Sequence, residues 1–247
     1  MILLGAVFAG SYVQSVSGFA MGLIVIAVVG ASGIISLPVL TAAASLITVV
    51  NVVVALKGHT QHIDKRIFLW LAAGQLPAIW VGVWILTWLD RDAQNILELL
   101  LGLFITLGSL SMMLKPRPLA EPSPNWACMT AGVAGGVVGG MFSASGPIMG
   151  WFNYRQPLPL AVIRATLLCS FALTTSTRTL VVGFQGGLTA EVLWLSAVAV
   201  PLVILGTWLG REMPPPVSEE TMKQGAFALL LVIGIWILGN ALLGTLG

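Results

Sequence analysis

Six runs of about 20 predominantly apolar residues, at 38–56, 67–89, 93–114, 158–183, 188–210 and 221–243, restrict what this chain can fold into. As a helix rising 1.5 Å per residue, each is long enough to cross a hydrocarbon layer of about 30 Å, where backbone polar groups must be satisfied within the segment. Charged residues make up 8% of the chain and its mean hydropathy is +1.00; a soluble domain carries about 25% charged residues. The class implied is an all-α integral membrane protein. An outer-membrane barrel is excluded, because its strands alternate lipid-facing and lumen-facing residues and these runs do not. Residues 1–10 carry no charge, so the basic flank of a removable signal peptide is missing and the first segment is expected to belong to the mature protein. Cys128 and Cys169 lie in apolar segments without ligand-like spacing. They read as small buried side chains, and no metal or cofactor is expected.

Two further apolar segments, 1–30 and 126–152, are interrupted by the same phrase. Ser15-Val16-Ser17-Gly18-Phe19-Ala20-Met21-Gly22 returns as Ser143-Ala144-Ser145-Gly146-Pro147-Ile148-Met149-Gly150, with five of eight positions identical at an offset of 128. Trp70, Leu71, Ala73, Pro77, Gly82 and Trp84 also recur, as Trp194, Leu195, Ala197, Pro201, Gly206 and Trp208, all at an offset of 124. Two tryptophans, a proline and a glycine in register point to duplication of one unit. The expected organisation is an N-terminal membrane repeat over 1–114, a proline-rich linker over 115–124 and a C-terminal membrane repeat over 125–247, each with about four helical segments.

Loop charges discriminate between two topologies. If the interrupted segments cross the bilayer, Lys57, Lys65, Arg66, Lys115 and Arg117 face Arg91, Arg155, Arg211 and Lys223, which is almost no bias. If each interrupted segment instead dips in and returns as a re-entrant hairpin, eight of these nine charges share one face and Arg91 stands alone on the other. The positive-inside rule favours the second arrangement: two inverted repeats, with both termini on the non-cytoplasmic side. Two parallel units of four crossings remain the alternative.

In the inverted arrangement the hairpin tips approach each other near the midplane, where a polar cavity can tolerate non-helical backbone and lipid cannot. Glycine permits tight turns and serine supplies hydroxyl donors. Half-helices starting near Phe19 and Pro147 would present free N–H groups and positive dipole ends, which suits an anion. Candidate binding residues at the tips are Ser15, Ser17, Gly18, Ser143, Ser145 and Gly146. The glycines Gly132, Gly135, Gly136, Gly139 and Gly140 read instead as close helix packing.

Arg164 and Arg178 both lie inside the apolar run 158–183, 14 residues apart; that is about 21 Å along a helix, too far for both to touch one small solute. An intramembrane arginine faces a cavity or substrate, or snorkels to the headgroups. Arg164 is the first choice for an anion contact and Arg178, closer to an interface, the second. Thr48, Asn51, Gln75, Thr166, Ser170, Thr174 and Thr175 are weaker candidates for a polar path, and His59 and His62 read as solvated. Nothing matches a nucleotide-binding loop, so ATP drive is not expected, and neither is a nucleic-acid partner. An anion channel and an intramembrane enzyme remain alternatives to a carrier. The enzyme would lack a histidine base in any membrane segment.

The run Gly135-Gly136-Val137-Val138-Gly139-Gly140-Met141-Phe142-Ser143-Ala144-Ser145-Gly146-Pro147, followed by Arg164-Ala165-Thr166, resembles the second-half signature of the sulfite exporter TauE/SafE family. Ser17-Gly18-Phe19-Ala20-Met21-Gly22 resembles its first-half partner, although Ser17-Gly18-Phe19 and Ser145-Gly146-Pro147 stand where consecutive glycines are common in the family. The resemblance implies a multi-pass permease of the bacterial inner membrane. It also implies a small sulfur-containing anion, such as sulfite or a sulfonate, as substrate. The expectation is a secondary carrier or facilitator, an exporter, working by alternating access, with the tips and Arg164 as the anion's contacts.

Overall fold

The computed structural model describes residues 1–17, 20–56, 60–114, 117–213 and 219–246, with backbone alone at 16–17, 219–220, 222–223 and 244–246. Gly18, His59 and the Ser17 side chain fall outside the described residues. Ten α-helices follow one another among the described residues: α1 (Ile2–Ser17), α2 (Met21–Gly30), α3 (Leu37–Leu56), α4 (Lys65–Asp92), α5 (Gln94–Met113), α6 (Asn125–Phe142), α7 (Gly146–Tyr154), α8 (Leu160–Phe184), α9 (Ala190–Glu212) and α10 (Glu219–Leu246). Six of them, α3, α4, α5, α8, α9 and α10, are long and apolar enough to cross a membrane. The chain is therefore a multi-pass helical membrane protein. Both interrupted segments are broken where the repeated phrase stands, into α1 and α2 and into α6 and α7.

Local chemistry sets several boundaries. The Asp64 carboxylate accepts the Ile67 N–H at 2.8 Å and caps α4, and the Thr189 hydroxyl accepts from Val192 and caps α9, each satisfying one of the orphan donors of a helix start. Pro77 and Pro201, which correspond at the 124-residue offset, both lie inside long helices, α4 and α9.

Packing pairs the halves crosswise. α4 lies along α6, and α9 lies along α1. Both pairs run in the same direction: Gly74, then Gly82, meets Met129–Val133, then Val137–Met141, while Gly206, then Gly210, meets Phe8–Tyr12, then Tyr12–Ser15. Glycine makes these approaches possible. A Cβ on Gly82 would stand 2.1 Å from the Val137 carbonyl oxygen, and one on Gly140 would stand 2.4 Å from that of Ile79. Between the halves, α5 packs on α10 and α3 on α8, both antiparallel, since Gly102 meets Leu238 while Gly234 meets Thr106, and Arg178 near the end of α8 meets Thr41 near the start of α3.

The two pieces of each broken segment touch beside the break. Gly10 of α1 packs against Met21 at the start of α2, and Gly139 of α6 packs against Ser145 before α7. The outer ends come together as well: Met1–Leu4 shares a crevice with Val29 and Ile34, and the Leu119 N–H donates to the Arg155 carbonyl at 2.8 Å beside the start of α6.

Candidate anion-binding site

The two breaks meet. A Cβ on Gly22, in the first turn of α2, would stand 2.5 Å from the Ser143 carbonyl oxygen and 3.4 Å from the Ala144 Cα. The backbone is unusual at both. Among the described non-glycine residues, Ala20 (φ 112°) and Ser143 (φ 53°) have positive φ, one at each tip. Such conformations persist for an L-residue where surrounding contacts hold them, and they concentrate at ligand sites.

Beside the second tip lies Arg178, with 1% of its surface exposed. Its Nε donates to the Gly140 carbonyl at 2.8 Å. Nη1 donates to the Thr41 carbonyl at 2.7 Å and the Ser45 hydroxyl at 2.8 Å, and Nη2 to the Thr41 hydroxyl at 2.6 Å. Ser45 in turn shares a hydrogen bond with the Ser143 hydroxyl at 2.9 Å. Four of the five guanidinium N–H groups are thus engaged, all by neutral oxygens of α3 and α6. No carboxylate is among its described partners. A cation this buried, compensated by dipoles alone, keeps a strong attraction for an anion in a medium of low dielectric. Burial also excludes snorkelling for Arg178.

Arg178 forms part of the wall of a cavity of about 520 Å³ whose other residues include Pro38 of α3, Trp88, Arg91 and Asp92 of α4, and Thr189 before α9. One carboxylate and two guanidiniums line it, a net positive balance.

The other sequence candidates divide. Ser145 and Gly146 are buried at the start of α7, with Pro147 in its first turn and no side-chain cap. Ser15 turns away from the second tip: its hydroxyl donates to the Tyr12 carbonyl at 2.8 Å and packs on Gly210 of α9. Arg164, half-buried, is in the second turn of α8, at the end where Thr166 accepts the Asp64 N–H at 3.0 Å; Arg178 is the arginine whose described bonds reach the second tip. At the start of α2 the first N–H is already engaged: the Met21 N–H donates to the Gln14 side-chain Oε1 at 3.0 Å. Gln14 donates to Asn51, whose amide donates to Thr207 at 2.7 Å. This buried chain ties the first tip to α3 and α9.

Of the weaker polar candidates, Ser170, Thr174 and Thr175 bond back to carbonyls of their own helix, and Gln75 donates to Thr174 at 2.9 Å. Sequence reasoning missed Thr41, Ser45, Gln14 and Thr207. The spacing of Thr41 and Ser45, four residues apart on one face of an apolar helix, was the available signal.

Two broken helices in contact, with a buried cation beside the second break of a multi-pass helical protein, are the architecture of a membrane transporter. The chain belongs to the sulfite exporter TauE/SafE family, which matches residues 2–237; it is a transporter and not an enzyme. It is similar to the probable sulfite/organosulfonate exporter TauE of Cupriavidus necator, with 43% identity over 94% of this chain and 90% of that protein. It also resembles the probable inner membrane transporter protein TsaS of Comamonas testosteroni, with 30% identity over 67% of this chain and 71% of that one. No solved structure matches.

Proposed function

We propose that this protein exports a small sulfur-containing anion, such as sulfite or an organosulfonate, across the bacterial inner membrane by alternating access between two inverted halves. The observation that carries the proposal is Arg178, buried beside the meeting tips with neutral oxygens as its partners. An entering oxyanion replaces the Thr41 and Ser45 hydroxyls as acceptor for the guanidinium, a planar donor fork suited to sulfonate oxygens. Ser143, Ser145 and the start of α7 at Gly146 contribute donors around the bound head. While the site is empty, Arg178 fastens α8 to α3 and α6; binding weakens that fastening, which links occupancy to movement of the halves. Arg164, at the other end of α8, is assigned to the path and not to the site. An inside-negative potential favours outward anion movement by about 2.3 kcal/mol per charge per 100 mV, so obligate ion coupling is not required.

The topology proposed is the re-entrant one, with both termini non-cytoplasmic. It is supported by the return of α2 to the start of α1 and of α7 to the start of α6. It is also supported by the charges: Arg66 bonds to Asn125 and Ser123 at the start of α6, and Arg211 bonds to Val54 at the end of α3. Arg91 lines the cavity at the opposite end. With Cys128 and Cys169 replaced, cysteines at positions 91 and 155 are expected to react with an impermeant maleimide from opposite sides of oriented vesicles. Reaction of both from one side would overturn this topology.

Transport itself is tested by flux in proteoliposomes. Saturable sulfite or sulfonate flux, competed by the other sulfur anion and not by chloride, is the expected result. Absence of flux for every sulfur oxyanion offered would refute the substrate class, and non-saturating flux would replace the carrier by a channel.

A further inference from the structure

A second feature lies outside the tips, beside α6 and α7. Between α5 and α6–α7 runs a crevice of about 470 Å³ lined by Leu103, Phe104, Leu107, Phe142, Pro147 and Trp151, among others. Its walls are almost wholly apolar. Leu103, Leu107 and Trp151 are exposed at its rim, while Phe142, stacked on Phe104 at 5.6 Å, closes its inner end. From there the crevice follows α7, whose nine residues cover about 13 Å, towards the end bearing Arg155. Ile148 and Trp151 also line a neighbouring cavity that contains Arg155, Ser123 and Gln156. The Arg155 guanidinium lies over the Trp151 ring, 4.3 Å from its centroid.

We propose that this crevice and Arg155 together bind one anionic phospholipid, with an acyl chain between α5 and α7 and the phosphate at Arg155. In a multi-pass protein an open apolar crevice facing hydrocarbon fills with lipid chain, since leaving it empty forfeits the dispersion contacts of its walls. A guanidinium fixed on an interfacial tryptophan at the mouth selects for negative headgroups. The position gives the lipid a role. Its chain touches Phe142, the last residue of α6, and Pro147, in the first turn of α7, on either side of the break that carries Ser143 and Ser145. The lipid thereby braces the second hairpin at its tip, and its loss would loosen the anion site without removing any residue from it.

The test is lipid retention by the purified full-length protein, measured by native mass spectrometry after exchange into detergent containing phosphatidylglycerol or phosphatidylcholine. Wild type is expected to retain one phosphatidylglycerol in preference to phosphatidylcholine by about fivefold, the worth of one basic residue at an anionic surface. Arg155→Gln should lose that preference while still holding phosphatidylcholine. Leu103→Trp and Leu107→Trp, which fill the crevice from its lipid-exposed rim, should each lose both lipids while remaining monodisperse. Equal retention by wild type and both tryptophan variants would overturn the site. An unchanged headgroup preference in Arg155→Gln would overturn the role of Arg155, and displacement of the lipid by millimolar sulfite would instead make Arg155 a soluble-anion contact. Because the readout is lipid mass and not flux, it stands or falls separately from the transported substrate.

Discussion

Sulfite flux through Arg178→Gln is expected to fall at least about 100-fold, and the variant should lose any substrate-induced thermal stabilisation. A hydrogen bond to a charged group contributes about 1.5–3 kcal/mol, so two from the guanidinium to a bound oxyanion amount to a factor of at least about 100 in affinity. Arg178→Lys should fail nearly as badly, because a single ammonium cannot serve the Gly140 carbonyl, the Thr41 carbonyl and the substrate at once. Both substitutions also leave buried carbonyls short of a donor, which costs about 1–3 kcal/mol each. Lower intrinsic stability is therefore expected and does not by itself discriminate. What discriminates is the shift in Tm on adding sulfite in detergent: present in wild type and in Arg164→Gln, absent in both Arg178 variants. Arg164→Gln should retain flux within about tenfold, since that side chain starts about 21 Å away along α8. A sulfite-dependent Tm shift that survives Arg178→Gln would remove Arg178 from the site, and one that disappears in Arg164→Gln would restore Arg164 to it.

The reason sequence alone puts Arg164 ahead of Arg178, while the structure sets Arg178 beside the second tip, is depth. The repeated phrase marks where each segment breaks, but not how far into the bundle the break lies. The arm leading to the second break, α6, has 18 residues, about 27 Å of helix, and it runs beside α4 in the direction of α8. Its tip therefore lands at Arg178, 18 residues into α8, and passes Arg164 near its base. The partners of Arg178 are hidden for another reason. Thr41 and Ser45 also donate to the Leu37 and Thr41 carbonyls of their own helix, the ordinary occupation of a hydroxyl in an apolar helix, so nothing in their type announces a bond to arginine. Other features were legible because their chemistry is local. The breaks follow from glycine and proline in apolar helices, and the correspondence of Gly82 with Gly206 reappears as two matching close approaches, onto α6 and onto α1. Ala20 and Ser143 at positive φ could not have been read from residue type, since neither is a residue that prefers that region.

Gly82→Val is expected to destroy the assembly of α4 with α6. The added Cβ would meet the Val137 carbonyl oxygen at 2.1 Å, the Gly140 Cα at 2.9 Å and the Met141 N at 3.0 Å, all backbone atoms that no rotamer change can move. Gly140 is the reciprocal contact, and Gly74, Gly132 and Gly136 repeat the arrangement along the same seam, so relief at one point requires the two helices to separate along much of their length. Small-residue seams are how membrane helices obtain close packing where the hydrophobic effect between them is absent. The expected loss exceeds the 1–3 kcal/mol typical of an overpacked side chain, and it should appear as aggregation on size-exclusion chromatography in detergent. The corresponding change in the other half, Gly206→Ala, meets the Phe8 carbonyl oxygen at 2.8 Å and should lower Tm without abolishing folding. Gly5→Ala and Gly239→Ala, with nothing within 4 Å of the added carbon, should be neutral or stabilising by about 0.5–1 kcal/mol through helix propensity. A folded, monodisperse Gly82→Val would mean that α6 is free to move away from α4. The second tip, which α6 carries to Arg178, would then lack the fixed support that the proposed anion site requires.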